Sequence, residues 1–507
     1  MRKALSNSIL SIISTKIIPL ISVIFLLAFD IFFYTPGVDA QSGSDWSPPV
    51  HLFETTGRAS LPEVAADSEG VIHVIWEYGE PGFVDSGAHQ SLYYTRLKDG
   101  AWSIPVDVLV SPDNRVARVP SMVIDSHGYL HVIWSGGNAL LYSSAYAPDA
   151  GDARNWATPQ MLSSDISIGD PAIAVDDQDR LYAVWSEPNK GLILRTSDDG
   201  DLWTEPKTIF AADDGNELAR WGRIAVDDGE RLHVVLTQTV QEENVREGVR
   251  DDPNFLYYLY SDDLGESWSD PFLITPEPDF GEVNVATFGE NVVHLIWNGR
   301  AGREGRYHLW SNDRGVNWSD IVEVVDPQGP YGGAGLSGIP MMKIDSKGVL
   351  HMVSTGSPFD YYTRWQDGTW SVPVNISKNV DGKGISGDET SLEGPGMTLS
   401  EGNKLHVVFH DGLERIWYTT TTIDAPRQTP TPLQALSLDT STNTEGQLPE
   451  AMQINKEPVP TVVPFVQFEQ EGENLPFSPL LFSIIPLILL LIVLIYAFVV
   501  RRGRSYQ

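Results

Sequence analysis

The chain has 507 residues, 42% of them hydrophobic, no cysteine and a formal net charge of −34. That composition supports a large core held by burial rather than by disulfides. So acidic a surface repels nucleic acid and anionic lipid, which excludes nucleic acid as a partner.

The first forty residues read as targeting sequence. Arg2 and Lys3 precede an apolar stretch, 17–33, and "VDA" (38–40) closes on a small-residue site, so a signal peptide is expected over 1–40, with an uncleaved anchor as the alternative. Next comes "SDWSPPVHLF" (44–53), the tail of a pattern that recurs later in fuller form.

The recurring unit is "PSMVIDSHGYLHVIW" (120–134), with relatives at 62–76, 171–185, 222–236, 282–297, 340–354 and 394–409. Each holds two runs rich in β-branched and aromatic residues, split by an Asp/Ser/Gly/Asn turn, which is a hairpin signal. His73, His131, Tyr182, His233, His294, His351 and His406 mark the repeat at spacings of 51–61 residues. A second hairpin follows, as in "YYTRWQDGTWSVPV" (361–374), with a fourth strand opening on Trp. Four antiparallel strands repeated radially describe an all-β propeller.

There are seven first hairpins but six Trp-led fourth strands, at Trp102, Trp156, Trp203, Trp268, Trp318 and Trp370. After the seventh hairpin only "RIWYTTTT" (415–422) remains, so 44–53 is expected to supply the missing outer strand and close a seven-bladed propeller over 44–423. The stretch 424–478, with "APRQTPTPLQ" and "EPVPTVVP", reads as an extended, largely disordered stalk. Residues 479–500 are 22 uncharged, mostly apolar residues, enough to cross a hydrocarbon core of about 30 Å. Arg501, Arg502 and Arg504 place the tail 501–507 in the cytoplasm, which gives a single-pass cell-membrane protein with its propeller extracytoplasmic.

Three turns, "TSDDGDLW" (196–203), "SDDLGESW" (261–268) and "SNDRGVNW" (311–318), fit Ser/Thr-x-Asp-x-Gly-x-x-Trp in register with the repeat. This resembles the Asp box, or bacterial neuraminidase repeat, of the sialidase superfamily. The resemblance implies a structural box: Asp198, Asp263 and Asp313 accept turn N–H groups, Gly200, Gly265 and Gly315 adopt unusual angles, and Trp203, Trp268 and Trp318 pack beneath. It also implies that these turns lie away from the working face. Family sialidases carry six blades, which leaves a six-bladed propeller as the alternative architecture.

The six repeat histidines invite a metal, but each belongs to a different blade and they cannot converge on one ion. They read as blade-to-blade packing, with no metal and no cofactor expected.

Ligands belong on the face opposite the turns, where loops enter first strands and leave second strands. Arg58, Arg118 and Arg223 precede first strands there, and Arg246, Arg250, Arg300, Arg303 and Arg306 lie in exit loops. Such arginines suit a carboxylate or sulfate; alternatively they pair with acids such as Glu242, Glu243, Asp251 and Asp252. By resemblance a sialidase would hold a sugar carboxylate with three arginines and use a Tyr–Glu pair and an Asp. "ARVPS" (117–121) matches part of the family's first-arginine motif at Arg118 and Pro120. Tyr331 is then the candidate nucleophile, and Glu77, Glu80 or Asp85 the candidate acids. Two functions remain: a surface propeller that binds glycan or a cell-surface protein, or a hydrolase or lyase of anionic glycans.

Overall fold

A computed structural model describes residues 45–433, apart from 55–56, 81–89, 112–115, 167–170, 213–216, 241–252, 279–280, 300–304, 325–335, 357–358, 378–394 and 412–414. Seven antiparallel sheets follow one another along the chain. Blade 1 runs outward through Arg58–Ala66, Ile72–Gly79, Gln90–Lys98 and an outer strand in two pieces, Ala101–Trp102 and Val106–Val110. Blades 2 to 6 repeat this order over 118–163, 172–211, 217–273, 281–324 and 336–375. Blade 7 takes Gly396–Ser400, Lys404–Asp411 and Arg415–Thr422 from the C-terminal end, and its outer strand is Val50–Glu54. The protein is a seven-bladed β-propeller closed by its N-terminal strand, and the six-bladed alternative falls.

The outer strands differ from expectation in one respect. In blades 2 to 5 the recurring tryptophan ends the turn and the strand begins later, at Gln160, Lys207, Phe272 and Val322. Pro follows Trp within three residues in most blades and cannot donate to the ladder, so regular pairing starts beyond it.

The core lies between blades. Leu92, Tyr94 and Leu109 of blade 1 pack with Leu130, Val132 and Trp134 of blade 2, and Leu192 and Leu194 of blade 3 pack with Leu232, Val234 and Leu236 of blade 4. Each such side chain contributes roughly 1.5–3 kcal/mol through burial.

A polar spine repeats inside this core. His73 Nδ1 lies 2.7 Å from the Tyr94 hydroxyl and its Nε2 lies 3.2 Å from Asp67. His131 joins Tyr142 and Asp125, His233 joins Tyr258 and Asp227, and His351 joins Tyr362 and Asp345 in the same way. A carboxylate only accepts, so Nε2–H donates to Asp and the tyrosine O–H donates to Nδ1. The same Asp also accepts a backbone N–H of the first hairpin, as Asp67 does from Val71 at 2.8 Å. The histidines therefore bond within their own blade, not between blades as the sequence suggests. The tyrosine carries the contact onward: Tyr142 meets Trp203 edge-on at 5.1 Å and Tyr258 meets Trp318 at 4.9 Å. A Cβ on Gly200 or Gly315 would strike those two hydroxyls.

Residues 424–433, expected to be stalk, instead lie across the turn face. Gln428 N–H donates to the Glu401 carbonyl at 2.8 Å, Thr431 N–H to the Ser68 carbonyl at 2.7 Å, and Arg427 pairs with Glu401 at 2.6 Å. Leu433 packs on the blade 1–blade 2 core. This strap joins blades 7, 1 and 2 across the closure. Leu433→Asp is expected to cost about 1–3 kcal/mol, the range for burying a mismatched polar group, read as a lower denaturation midpoint with an unchanged slope. The expected stalk beyond 433, the span 479–500, the tail 501–507 and the signal peptide 1–40 lie outside the described residues. Among the described residues no helix is long and apolar enough to cross a membrane.

Candidate functional site

The inner strands share an irregularity at their loop-face ends. Ser60 pairs with Glu77 and Glu63 with Ile75, so Leu61 and Pro62 oppose one residue. The same bulge separates Arg118 from Ser121, Arg220 from Arg223 and Gly281 from Asn284. Leu61, Val119, Trp221 and Glu282 take positive φ there, at 52°, 51°, 49° and 57°. Such angles are outliers for bulky or β-branched residues, and bulges re-aim the groups beside them.

At the first two bulges the re-aiming joins neighbouring blades around one acid. Glu77, on the second strand of blade 1, is 1% exposed. It accepts the Ser60 hydroxyl at 2.5 Å and, across the blade boundary, the Val119 N–H at 3.3 Å. Arg58 Nε stands 3.6 Å from one carboxylate oxygen and Arg118 Nε 3.4 Å from the other. Arg58 Nε donates its hydrogen bond to Ser60 Oγ at 3.3 Å, and both arginines remain partly exposed, at 27% and 36% of their side chains. Among the described residues the structure gives no hydrogen-bond partner to their terminal nitrogens. His410 of blade 7 is buried close by, and burial, with the Arg58 charge adding to it, pushes its imidazole down to about 4. It is neutral near pH 7, so the positive charge here belongs to the two arginines.

The other predicted arginines go elsewhere. Arg223 stands past the bulge and lines the central channel, a cavity of about 550 Å³ walled by the inner strands. Arg220, which the sequence reading passed over, holds the register position of Arg118, and its guanidinium lies 5.3 Å from the Trp221 ring centre. Arg306 is wholly buried in blade 5, where burial drives its pKa down and Glu282 opposes that. Glu80 is exposed. Arg246, Arg250, Arg300, Arg303, Tyr331 and Asp85 lie outside the described residues, as do Glu242, Glu243, Asp251 and Asp252.

Glu77 is the acid that pairs with Arg58 and Arg118. Lys343 also lines the channel.

The box turns behave structurally, with one correction. Asp263 accepts Ser267 N–H at 2.7 Å and the Ser261 hydroxyl at 2.8 Å; Asp313 accepts Asn317 N–H and the Ser311 hydroxyl, each at 2.8 Å. In blade 3 this role falls to Asp199, which accepts the N–H groups of Asp201 and Leu202 at 2.8 and 2.9 Å. Asp198 points outward to Arg180 at 3.0 Å. The turn is keyed by Ser197, not Thr196, since Ser197 Oγ accepts the Gly200 N–H at 2.9 Å. Asp125, His127 and Asp179 come within 4.8 Å of one another, and His127 Nδ1 is 2.8 Å from Asp179, so the trio ties blade 2 to blade 3 directly.

No protein-family model matches the chain, and no curated protein matches it. Solved structures do resemble it. A protein of unknown function from Dyadobacter fermentans is 15% identical over 75% of this chain and 100% of its own, with a TM-score of 0.46. An ulvan lyase of polysaccharide lyase family PL25, bound to -[GlcA(1-4)Rha3S]-, is 12% identical over 73% and 95%, with a TM-score of 0.48. A sialidase from Streptococcus pneumoniae is 14% identical over 74% and 71%, with a TM-score of 0.41.

Ser60 and the Val119 N–H belong to no motif in the sequence. Their only sequence signal is the Leu-Pro or Val-Pro step that follows Ser60 and Arg118 and marks the bulge.

Proposed function

We propose that the chain is a membrane-anchored, extracytoplasmic propeller of sialidase-superfamily, Asp-box type whose loop face binds acidic glycans. The observation that carries this is the Arg58–Glu77–Arg118 cluster: one buried carboxylate stands 3.6 and 3.4 Å from the Nε atoms of two arginines from adjacent blades, and no described residue hydrogen-bonds their terminal nitrogens. A sugar carboxylate or sulfate matches that paired fork. Fixed arginines lose little freedom on binding, which favours affinity. Binding fits better than hydrolysis, because Glu77 already meets Ser60, Val119 and both arginines and is placed to position them rather than to attack a sugar.

Uronate-, sulfate- and sialate-bearing oligosaccharides on an array, followed by calorimetry, test the reading. Arg118→Ala and Arg58→Ala are each expected to weaken binding about tenfold or more, since a charged hydrogen bond contributes roughly 1.5–3 kcal/mol. Affinity should also fall with added salt. Acidic-glycan binding that ignores both substitutions would sink the proposal. Turnover of a fluorogenic sialoside lost in Glu77→Gln would replace binding with hydrolysis.

A further inference from the structure

The turn face carries a recess that the loop-face reading does not use. Trp310, Asn312, Asp313, Asn317, Trp318 and Ser319 of blade 5 line a cavity of about 310 Å³. Its two rings are half-buried, and its Asn and Asp side chains are exposed.

The other box turns carry an ion pair at this place. In blade 4, Arg231 makes a two-pronged contact with Asp262, 2.7 Å on each side, and its guanidinium lies 3.9 Å over the Tyr260 ring. In blade 3, Arg180 meets Asp198 at 3.0 Å. The registers fix the equivalent places in blade 5. Tyr260 pairs with His233 as Trp310 pairs with His294, so Arg231 corresponds to Val292 and Asp262 to Asn312. Both halves of the clasp are replaced together, and the ring it would cover is a tryptophan. Trp318 lies flat against Phe272, with 5.8 Å between centroids and 6° between planes. The turn itself is pinned, because Arg314 donates to Asp227 of blade 4 at 3.0 and 3.1 Å.

We propose that this recess binds one neutral pyranose ring, a second ligand site on the face opposite Arg58 and Arg118. Indole rings offer broad apolar surface for the C–H face of a sugar, and a few fixed polar groups suffice to orient it. Asn317 Nδ2 donates to Asp313 at 2.6 Å, which leaves the Asn317 carbonyl, the Asn312 amide and the outer lone pairs of Asp313 for hydroxyl groups. The Asp313 carboxylate disfavours carboxylated or sulfated sugars here, so the two sites select opposite ligands.

The test uses the full chain in detergent, titrated with the methyl glycosides of glucose, galactose, mannose and N-acetylglucosamine. Saturation-transfer NMR and tryptophan fluorescence report binding. At least one glycoside should give a saturable response. Val292→Arg with Asn312→Asp restores the blade 4 clasp and should weaken that response at least tenfold. Asn312→Ala, at an exposed side chain, provides an independent loss, and each variant is checked for an unchanged melting point. Arg58→Ala with Arg118→Ala should leave neutral-sugar binding intact, so failure at one site is distinguishable from failure at the other. The proposal is overturned if none of the four glycosides saturates, if only acidic sugars bind, or if the clasp variant binds like the parent.

Discussion

A chain lacking residues 45–54 is expected to lose its cooperative thermal transition near the parental temperature and to aggregate. Val50–Glu54 pairs with Arg415–Thr422 from the far end of the propeller. Just ahead of it, Ser47 exchanges bonds with Thr420 and Thr419 at 2.7 to 3.0 Å. Trp46 packs in the blade 6–blade 7 core, edge-on to Tyr362 at 5.1 Å. Phe53 meets Trp76, Tyr78 and Tyr93 of blade 1 at 5.2 to 5.7 Å. Deleting two such aromatics costs roughly 3–5 kcal/mol each when they are fully buried and somewhat less here, against a total stability of about 5–15 kcal/mol. The deletion also bares the edge of Arg415–Thr422, and an unpaired edge recruits other chains. Calorimetry and light scattering decide the matter: an unchanged melting point with a monodisperse sample would show that the ring does not depend on this strand. Phe53→Ala alone should lower the denaturant midpoint without aggregation, because the backbone ladder stays paired.

That dependence was legible because a repeat can be counted. Seven hairpins and six outer strands leave one strand to be found, and only 44–53 has its pattern. The strap at 424–433 had no such signal: most of its bonds run from its backbone to turn residues such as Ser68 and Glu401, and backbone bonding leaves no residue signature. Asp198 and Asp199 show a different limit. Two identical neighbours compete for one role, and a one-residue difference in turn length decides between them.

Around Glu77 the residue types were visible but not their pairing. Arg58, Arg118 and Glu77 lie on three different strands, and only the bulge brings Val119 of blade 2 onto an acid of blade 1. Arg220 is the counterpart of Arg118, because each stands seven residues before the hairpin-turn aspartate and just ahead of the bulge, whereas Arg223 stands past it. Register slips of this kind are set by backbone angles that bulky residues adopt only under tertiary constraint. The histidine–aspartate partnership stood six residues apart in repeat after repeat, yet its meaning needed the tyrosine from the third strand.

The buried histidines, with or without an aspartate partner, make the fold acid-sensitive in a pH window above that of ordinary carboxylates. Burial pushes His294 and His410 down to about 4 and His406 down to about 3. His73, His233 and His351 are lowered by burial too, although Asp67, Asp227 and Asp345 pull them back up. His406 fits this logic, since Ser400 at 2.7 Å replaces the carboxylate and cannot compensate a positive ring. With folded pKa values below the unfolded value of about 6.5, the unfolded chain binds protons first as pH falls. The stability is fully present above about pH 6.5 and is withdrawn toward pH 4. At about 1.4 kcal/mol per unit per group, His294, His406 and His410 alone withdraw on the order of 5 kcal/mol by pH 5. Relief of acidic self-repulsion works in the opposite direction, but it needs carboxylates to protonate and so falls mostly below pH 5. The melting point should therefore drop steeply between pH 6.5 and 5, with proton uptake on unfolding visible as an enthalpy that varies with buffer ionisation. A melting point that is flat across that interval would mean that the buried imidazoles are charged in the folded propeller, and the Tyr–His–Asp spine would have to be redrawn with each Nδ1 as a donor.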